Sequence, residues 1–179
     1  MKQEIEIKIK LTEEDNINEK LLKLGGKPGD FYTQTTYGFF SKDSIEKGIF
    51  PRIRIESGEP VLTIKVRPKK ESNYFERKEY SITINDEKQG IEILKLLGFD
   101  RIREFTKKRQ EWKFDNVEVC LDVLYFGTFL EIEGQKNDIE DMVKALGFEN
   151  RQRIAKAYLA VEDDYKNRFL EQRHNSFSV

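Results

Sequence analysis

Residues 4–11 read Glu4-Ile5-Glu6-Ile7-Lys8-Ile9-Lys10-Leu11. The alternation is strict: Ile5, Ile7, Ile9 and Leu11 share one face, and Glu4, Glu6, Lys8 and Lys10 share the other. A period of two identifies a β-strand with one apolar and one polar side. The same pattern returns along the chain and predicts strands over roughly 32–40, 49–57, 60–67, 75–84, 104–114, 117–125 and 128–134. Ser57-Gly58-Glu59-Pro60 and Asp115-Asn116 are turn signals between neighbouring strands.

Helices are predicted between the strands. The first has Thr12 as cap, Asp15 three residues later, an apolar stripe of Leu21, Leu22 and Leu24, and Gly25-Gly26 as its stop. The second is capped by Asn85 or Asp86 and ends at Leu96-Leu97-Gly98-Phe99. The third is capped by Asn137, with Glu140 at the capping-box position, and ends at Ala145-Leu146-Gly147-Phe148. The similarity of these two endings suggests two related halves. A last helix is predicted from Arg153 to about Leu170, with a loose tail from His174 to Val179.

The chain has 179 residues, enough for one domain with its own core. Charged residues make up 36% of it, yet the formal net charge is −1. That balance argues against bulk electrostatic binding of nucleic acid or of an anionic membrane, so any anion site must come from local arrangement. The single cysteine, Cys120, excludes a disulfide within the chain. No apolar run approaches membrane-spanning length. A reducing, cytoplasmic location is expected.

Function is carried by the polar faces. Glu4, Glu6 and Lys8 lie on the first strand, Arg52 and Arg54 on the third, and Thr63, Lys65 and Arg67 on the fourth. Arg77, Glu79, Ser81 and Thr83 follow on the fifth, Lys107 and Arg109 on the sixth, and Glu131 and Glu133 on the eighth. The apolar faces suit helices packed outside. The charged faces then either meet water, as in an open antiparallel sheet, or line the lumen of an eight-stranded barrel. The carboxylates occur as i, i+2 pairs on the first and last strands, with basic residues dominating those between. A face built for solubility would intersperse the signs. Carboxylates suit Mg²⁺ or Mn²⁺ together with substrate phosphates, and Arg and Lys grip phosphate.

These residues resemble the CYTH superfamily, the triphosphate tunnel metalloenzymes. Glu4-Ile5-Glu6-Ile7-Lys8 resembles its Glu-x-Glu-x-Lys signature. Arg52-Ile53-Arg54, Leu62-Thr63-Ile64-Lys65, Arg77-Lys78-Glu79 and Lys107-Lys108-Arg109 resemble its basic strands, in order. Asp122, then Gly127-Thr128-Phe129-Leu130-Glu131-Ile132-Glu133, resembles its Gly-x-Phe-x-Glu-x-Glu segment, and Lys156-Ala157-Tyr158 its C-terminal Lys-Ser-Tyr. Two departures stand out. Thr36 and Gly38 occupy positions where the family usually has an acid and an aromatic, and Pro51 one where it usually has Leu.

The resemblance implies an α+β fold, an eight-stranded antiparallel barrel with helices packed outside. It assigns residues 1–162 to the tunnel domain and 163–179 to the end of the last helix and the tail. It implies Mg²⁺ or Mn²⁺ on Glu4, Glu6, Asp122, Glu131 and Glu133. A triphosphate (ATP, thiamine triphosphate or tripolyphosphate) is then held by Lys8, Arg52, Arg54, Lys65, Arg77, Lys107, Arg109 and Lys156. Catalysis would rest on Glu4, Glu6, Lys8, Glu131 and Glu133. Glu79 is expected to pair with Arg77, and Cys120 to act as a small hydrophobe. Phe39, Phe40, Tyr74 and Phe75 are expected to pack in the core or at the rim. Three activities follow: triphosphate hydrolysis, cyclisation of ATP to cyclic AMP and pyrophosphate, and non-catalytic binding of polyphosphate or RNA. The carboxylate pairs favour the first two, with hydrolysis preferred. A homodimer is left open, and no membrane partner is expected.

Overall fold

The alternating N-terminal stretch becomes β1 (Lys2–Lys10) in the computed structural model, which describes residues 2–56, 58–68 and 73–176. A single 3-10 turn (Glu13–Asp15) and α1 (Ile17–Lys23) follow, then β2 (Lys27–Pro28), β3 (Tyr32–Phe40) and α2 (Lys42–Lys47). Next come β4 (Ile49–Glu56), β5 (Glu59–Val66), β6 (Phe75–Thr83) and α3 (Glu87–Leu96). The chain continues with β7 (Arg101–Lys113), β8 (Val117–Leu124), β9 (Gly127–Gly134) and α4 (Lys136–Ala145), and ends with β10 (Arg153–Ile154) and α5 (Tyr158–Ser176).

Eight of the strands close on themselves. Their order is β1-β6-β5-β4-β3-β7-β8-β9, and β9 pairs back onto β1. Every pairing is antiparallel. Closure turns on β1, which divides its length between two partners. Glu4 stands opposite Arg77 and Glu6 opposite Phe75 on β6. Further along, Glu6 stands opposite Glu133 and Lys8 opposite Glu131 on β9. The short β10 and β2 attach to β1 and β7.

Because side chains alternate across a strand, the outward set is apolar and draws the helices onto the barrel. Ile5, Ile7, Ile9 and Leu11 pack with Leu21 of α1, with Ile139 and Val143 of α4, and with Val119, Leu121, Leu130 and Ile132 of β8 and β9. Each fully buried side chain of this kind contributes about 1.5–3 kcal/mol. A second core joins Phe39 and Ile53 to Leu94 of α3. A third joins Phe126 and Phe129 to Tyr158 and Val161 of α5, and because Phe129 shares a face of β9 with Glu131, this helix covers part of the inward face. Most of the remaining inward set is polar.

Several local expectations hold. Asp86 caps α3 by accepting from the Gln89 amide. The repeated helix endings are alike in detail: Gly98 and Gly147 have φ of +91° and +72°, and Phe99 N and Phe148 N donate back to Leu94 O and Val143 O. Others are corrected. α5 starts at Tyr158 because Arg153 and Ile154 pair with β1 instead. α4 starts at Lys136 with Gln135 as cap, so Asn137 is inside it, and Glu140 accepts from Tyr74 and Arg153. The Thr12–Asp15 pair closes only the 3-10 turn, which Asn16 at φ 46° separates from α1. Leu22 and Leu24 are exposed.

The short α2 had no periodic signal; Ser41 and Ser44 cap it reciprocally. Pro51 is third in β4. It lies past the last β3–β4 pair, Gly38 with Arg52, so its missing N–H breaks no ladder there. Ser57 of the predicted turn lies outside the described residues. So do residues 177–179 of the predicted tail, whose first residues continue α5.

Candidate active site

The inward faces enclose a cavity of about 1130 Å³. Its wall carries Glu4, Glu6 and Lys8 from β1, Arg52 and Arg54 from β4, Thr63 and Lys65 from β5, and Arg77 and Glu79 from β6. Lys107 and Arg109 of β7, Glu118 of β8, and Glu131 and Glu133 of β9 complete it. Period-two alternation on each strand is what delivers these residues to one space.

On the β1 side, carboxylate oxygens of Glu4, Glu6 and Glu133 lie within 4.8 Å of one another. Three negative groups this close repel, and burial deprives them of water. The Glu6 carboxyl is accordingly pushed up to about 7, by burial first and then by Glu131 and Glu4, against the pull of Lys8. A group held in this way has a strong demand for a cation. The chain supplies part of it. Lys65 Nζ donates to both oxygens of Glu4, at 2.7 and 2.8 Å, and lies 2.6 Å from Glu79. Lys8 pairs with Glu6 and with Glu131, the latter at 3.2 Å. Burial would raise the Glu79 carboxyl, but Lys65 and then Arg52 hold it low.

On the β7–β8 side lies a second network, joined to the first through the Lys8–Glu131 pair. Asp122 has no exposed surface. It accepts from Lys107 Nζ at 2.9 Å, Arg109 Nε at 2.7 Å, Arg109 Nη2 at 2.6 Å and the Tyr158 hydroxyl at 2.7 Å. Arg109 Nη2 also donates to Glu131 at 2.7 Å. Burial alone would raise the Glu131 carboxyl; Lys8 and Arg109 reverse that and hold it well below the usual carboxylate range. The Tyr158 ring fills the space between two ammonium groups, 5.2 Å from Lys8 and 5.0 Å from Lys107.

The expected residues thus converge, but in two groups. Glu4, Glu6 and Glu133 form a cluster that could hold a divalent ion. Glu131 and Asp122, expected in the same role, are instead committed to Lys8, Lys107 and Arg109. The Nε atoms of Arg52 and Arg54 are buried without a hydrogen bond; Arg52 lies 3.5 Å from Glu79 and Arg54 3.5 Å from Glu56. Burial, then Arg54, lowers the Arg52 pKa. Arg77 lies 3.9 Å over the Phe75 ring and donates to Glu76 O, so Glu79 pairs with Lys65 and Arg52 rather than with Arg77. Lys156 is at the rim, 53% exposed and 2.7 Å from Asp164. Cys120 is buried, and burial pushes its thiol up, so it is inert. Phe39 and Phe75 are buried, and Tyr74 packs at the core edge. Tyr158 was missed as a site residue; its signal was the motif position two residues after Lys156.

The sequence model of the CYTH domain matches residues 2–158. MJ0240 of Methanocaldococcus jannaschii, whose name proposes an adenylate cyclase, is 32% identical over 174 residues, covering 95% of this chain and 98% of that one. The structure of PH1012 from Pyrococcus horikoshii superimposes with a TM-score of 0.75 at 27% identity, over 88% of this chain and 98% of that one. HpAC1 of Hippeastrum, described as a candidate adenylyl cyclase with a dominant triphosphatase activity, shares the fold. Its TM-score is 0.62 at 16% identity, over 90% of this chain and 94% of that one.

Proposed function

The chain belongs to the CYTH domain family, and from that premise we propose that it is a metal-dependent enzyme that cleaves a triphosphate inside its barrel. The observation that carries this reading is the Glu4–Glu6–Glu133 cluster set against Arg52 and Arg54 in the wall of the same cavity, whose Nε atoms make no hydrogen bond. A fully basic lumen would merely bind polyanions, and carboxylates held together at this distance serve no such binder.

The donor set fits a hard divalent cation. It consists of oxygens only, and the raised Glu6 pKa reflects burial first and then the charges of Glu131 and Glu4. Mg²⁺ or Mn²⁺ would be held by Glu4, Glu6 and Glu133, where it neutralises charge and polarises a phosphoryl oxygen. The chain's own residues do the rest. Arg52, Arg54 and Arg77 have donors available for phosphate oxygens, and Arg geometry suits bidentate contact. Lys65 and Lys8 hold Glu4 and Glu6 and are within reach of an entering polyphosphate, so they act as movable counter-ions. Glu131 and Asp122 keep Arg109 and Lys107 charged and aimed into the lumen, which preorganises the electrostatic field and costs no rearrangement during reaction. Hydrolysis needs no protein nucleophile, and the site offers no Ser–His or Cys–His pair among the described residues.

One observation favours a second reading, ATP cyclisation: the M. jannaschii relative is named for that activity. Both are tested by chromatography of the products formed from ATP, thiamine triphosphate and tripolyphosphate with Mg²⁺ or Mn²⁺. ADP plus phosphate supports hydrolysis, and cyclic AMP plus pyrophosphate supports the cyclase. No turnover of any of the three sinks both.

A further inference from the structure

The lumen changes character where β3 and β4 leave the phosphate-binding cations. Alternation on β3 sends Phe39 outward into the core with Ile53 and Leu94, and turns Phe40 toward the cavity. Phe50 of β4 faces the same space, with ring centroids 6.3 Å apart and the planes at 63°. Both rings are half-buried, and neither belongs to the three clusters that form the cores. Beside them Gly38 leaves the wall without a side chain. A Cβ there would meet Leu159 Cδ1 at 3.0 Å and the Phe40 ring at 3.3 Å, so a side chain at position 38 would crowd the Phe40 ring. The Arg67 guanidinium lies 5.2 Å over Phe50.

Two aromatic rings in a polyphosphate channel do nothing for phosphate, because the ring face is the negative end of the aromatic quadrupole. They do much for a flat ring, which gains dispersion by stacking and a further contribution from an overlying guanidinium. The distance to the anion site is short. Phe50 stands opposite Lys65 in the β4–β5 ladder and two residues from Arg52 on the same face. The cavity, about 1130 Å³, exceeds the roughly 300–1000 Å³ typical of drug-sized ligands, so an organic group fits beside three phosphates.

We propose that Phe40 and Phe50, with Arg67 over the latter, form a ring-binding subsite that selects triphosphate esters of flat heteroaromatic compounds over inorganic tripolyphosphate. The subsite presupposes the triphosphate reading of the lumen, and the experiment separates the two. ATP and tripolyphosphate are titrated calorimetrically, in EDTA so that no turnover occurs, into wild type, Phe40→Leu and Phe50→Leu. Leucine keeps apolar volume and removes the ring face. Each variant is expected to bind ATP about fivefold or more weakly while tripolyphosphate stays within about twofold of wild type. Phe50→Leu also releases Arg67, so Phe40→Leu is the cleaner arm. Equal effects on both ligands, or none on ATP, overturn the subsite alone. Failure of wild type to bind either ligand, in EDTA and again with Ca²⁺ supplied as a cation for the carboxylates, overturns the subsite together with the triphosphate reading.

Discussion

Replacing Asp122 by Asn separates the role the structure gives this residue from the metal-ligand role that the sequence suggested. The wild-type carboxylate accepts four hydrogen bonds, three of them from the buried cations Lys107 and Arg109, and has no exposed surface. Asparagine has nearly the same shape but no charge, and its amide places a donor against donors. Removing one partner of a buried ion pair costs about 3–5 kcal/mol, because the charge left behind remains desolvated. Glu131 still faces Arg109, which prevents a larger loss. For a chain of this length the midpoint should fall by roughly 6–20 °C, at about 2–4 °C per kcal/mol. The assay is urea and thermal unfolding followed by circular dichroism, with EDTA throughout. The penalty should shrink at alkaline pH. Burial and then Arg109 already lower the Lys107 pKa, so losing Asp122 lets this lysine shed its proton sooner. A loss under about 1 kcal/mol would place the pair in the class of surface bridges and refute the reasoning. So would a loss that appears only with bound Mn²⁺ and vanishes in EDTA.

Other outcomes follow from the same geometry. The folded Glu6 pKa of about 7 lies above its ordinary 4.5, so the folded state binds the extra proton. Metal-free stability should therefore fall as pH rises from about 4.5 to 7 and level off above, and Glu6→Gln should flatten that stretch of the urea-midpoint profile. A slope of opposite sign in the wild type would contradict the burial of Glu6 beside Glu131 and Glu4. Arg52→Met removes a half-buried cation whose Nε makes no hydrogen bond and whose partner Glu79 keeps Lys65 at 2.6 Å. The empty protein should keep its melting temperature within about 2 °C, or rise, while the upward shift given by tripolyphosphate is reduced; an undiminished shift would remove Arg52 from the phosphate site. Tyr158→Phe deletes one donor to Asp122 and should cost about 1–3 kcal/mol in chemical denaturation, whereas no measurable change would mean that the hydroxyl does not support the Asp122 network.

Much of this was legible in the chain because strand alternation is local. Ile5, Ile7 and Ile9 had to share a face, and so did Glu4, Glu6 and Lys8. The two helix endings at Gly98 and Gly147 are set by a left-handed residue that glycine adopts at no steric cost. What could not be read was register. Glu131 and Glu133 are equivalent in sequence, both inward and two apart. They diverge only because Glu131 meets Lys8 across the ladder and Glu133 meets Glu6. Asp122 likewise becomes an anchor because β7 brings Arg109 opposite it. Such pairings join residues more than a hundred positions apart, or follow from hairpin length, and no periodicity encodes them. The helix α2 was invisible for another reason: it has six residues, too few for a helical repeat, and is held by reciprocal serine caps.

The central claim is that Glu4, Glu6 and Glu133 hold a divalent ion beside a triphosphate inside the barrel. Its most direct test is anomalous diffraction from crystals grown with Mn²⁺ and tripolyphosphate. The account predicts a manganese peak bonded to these three carboxylates, with phosphate density against Arg52, Arg54 and Lys65, and Asp122 still bonded to Lys107 and Arg109. A manganese peak on Asp122 away from Glu4 and Glu6, or ordered phosphate only on the outer surface with the lumen unoccupied, would contradict it.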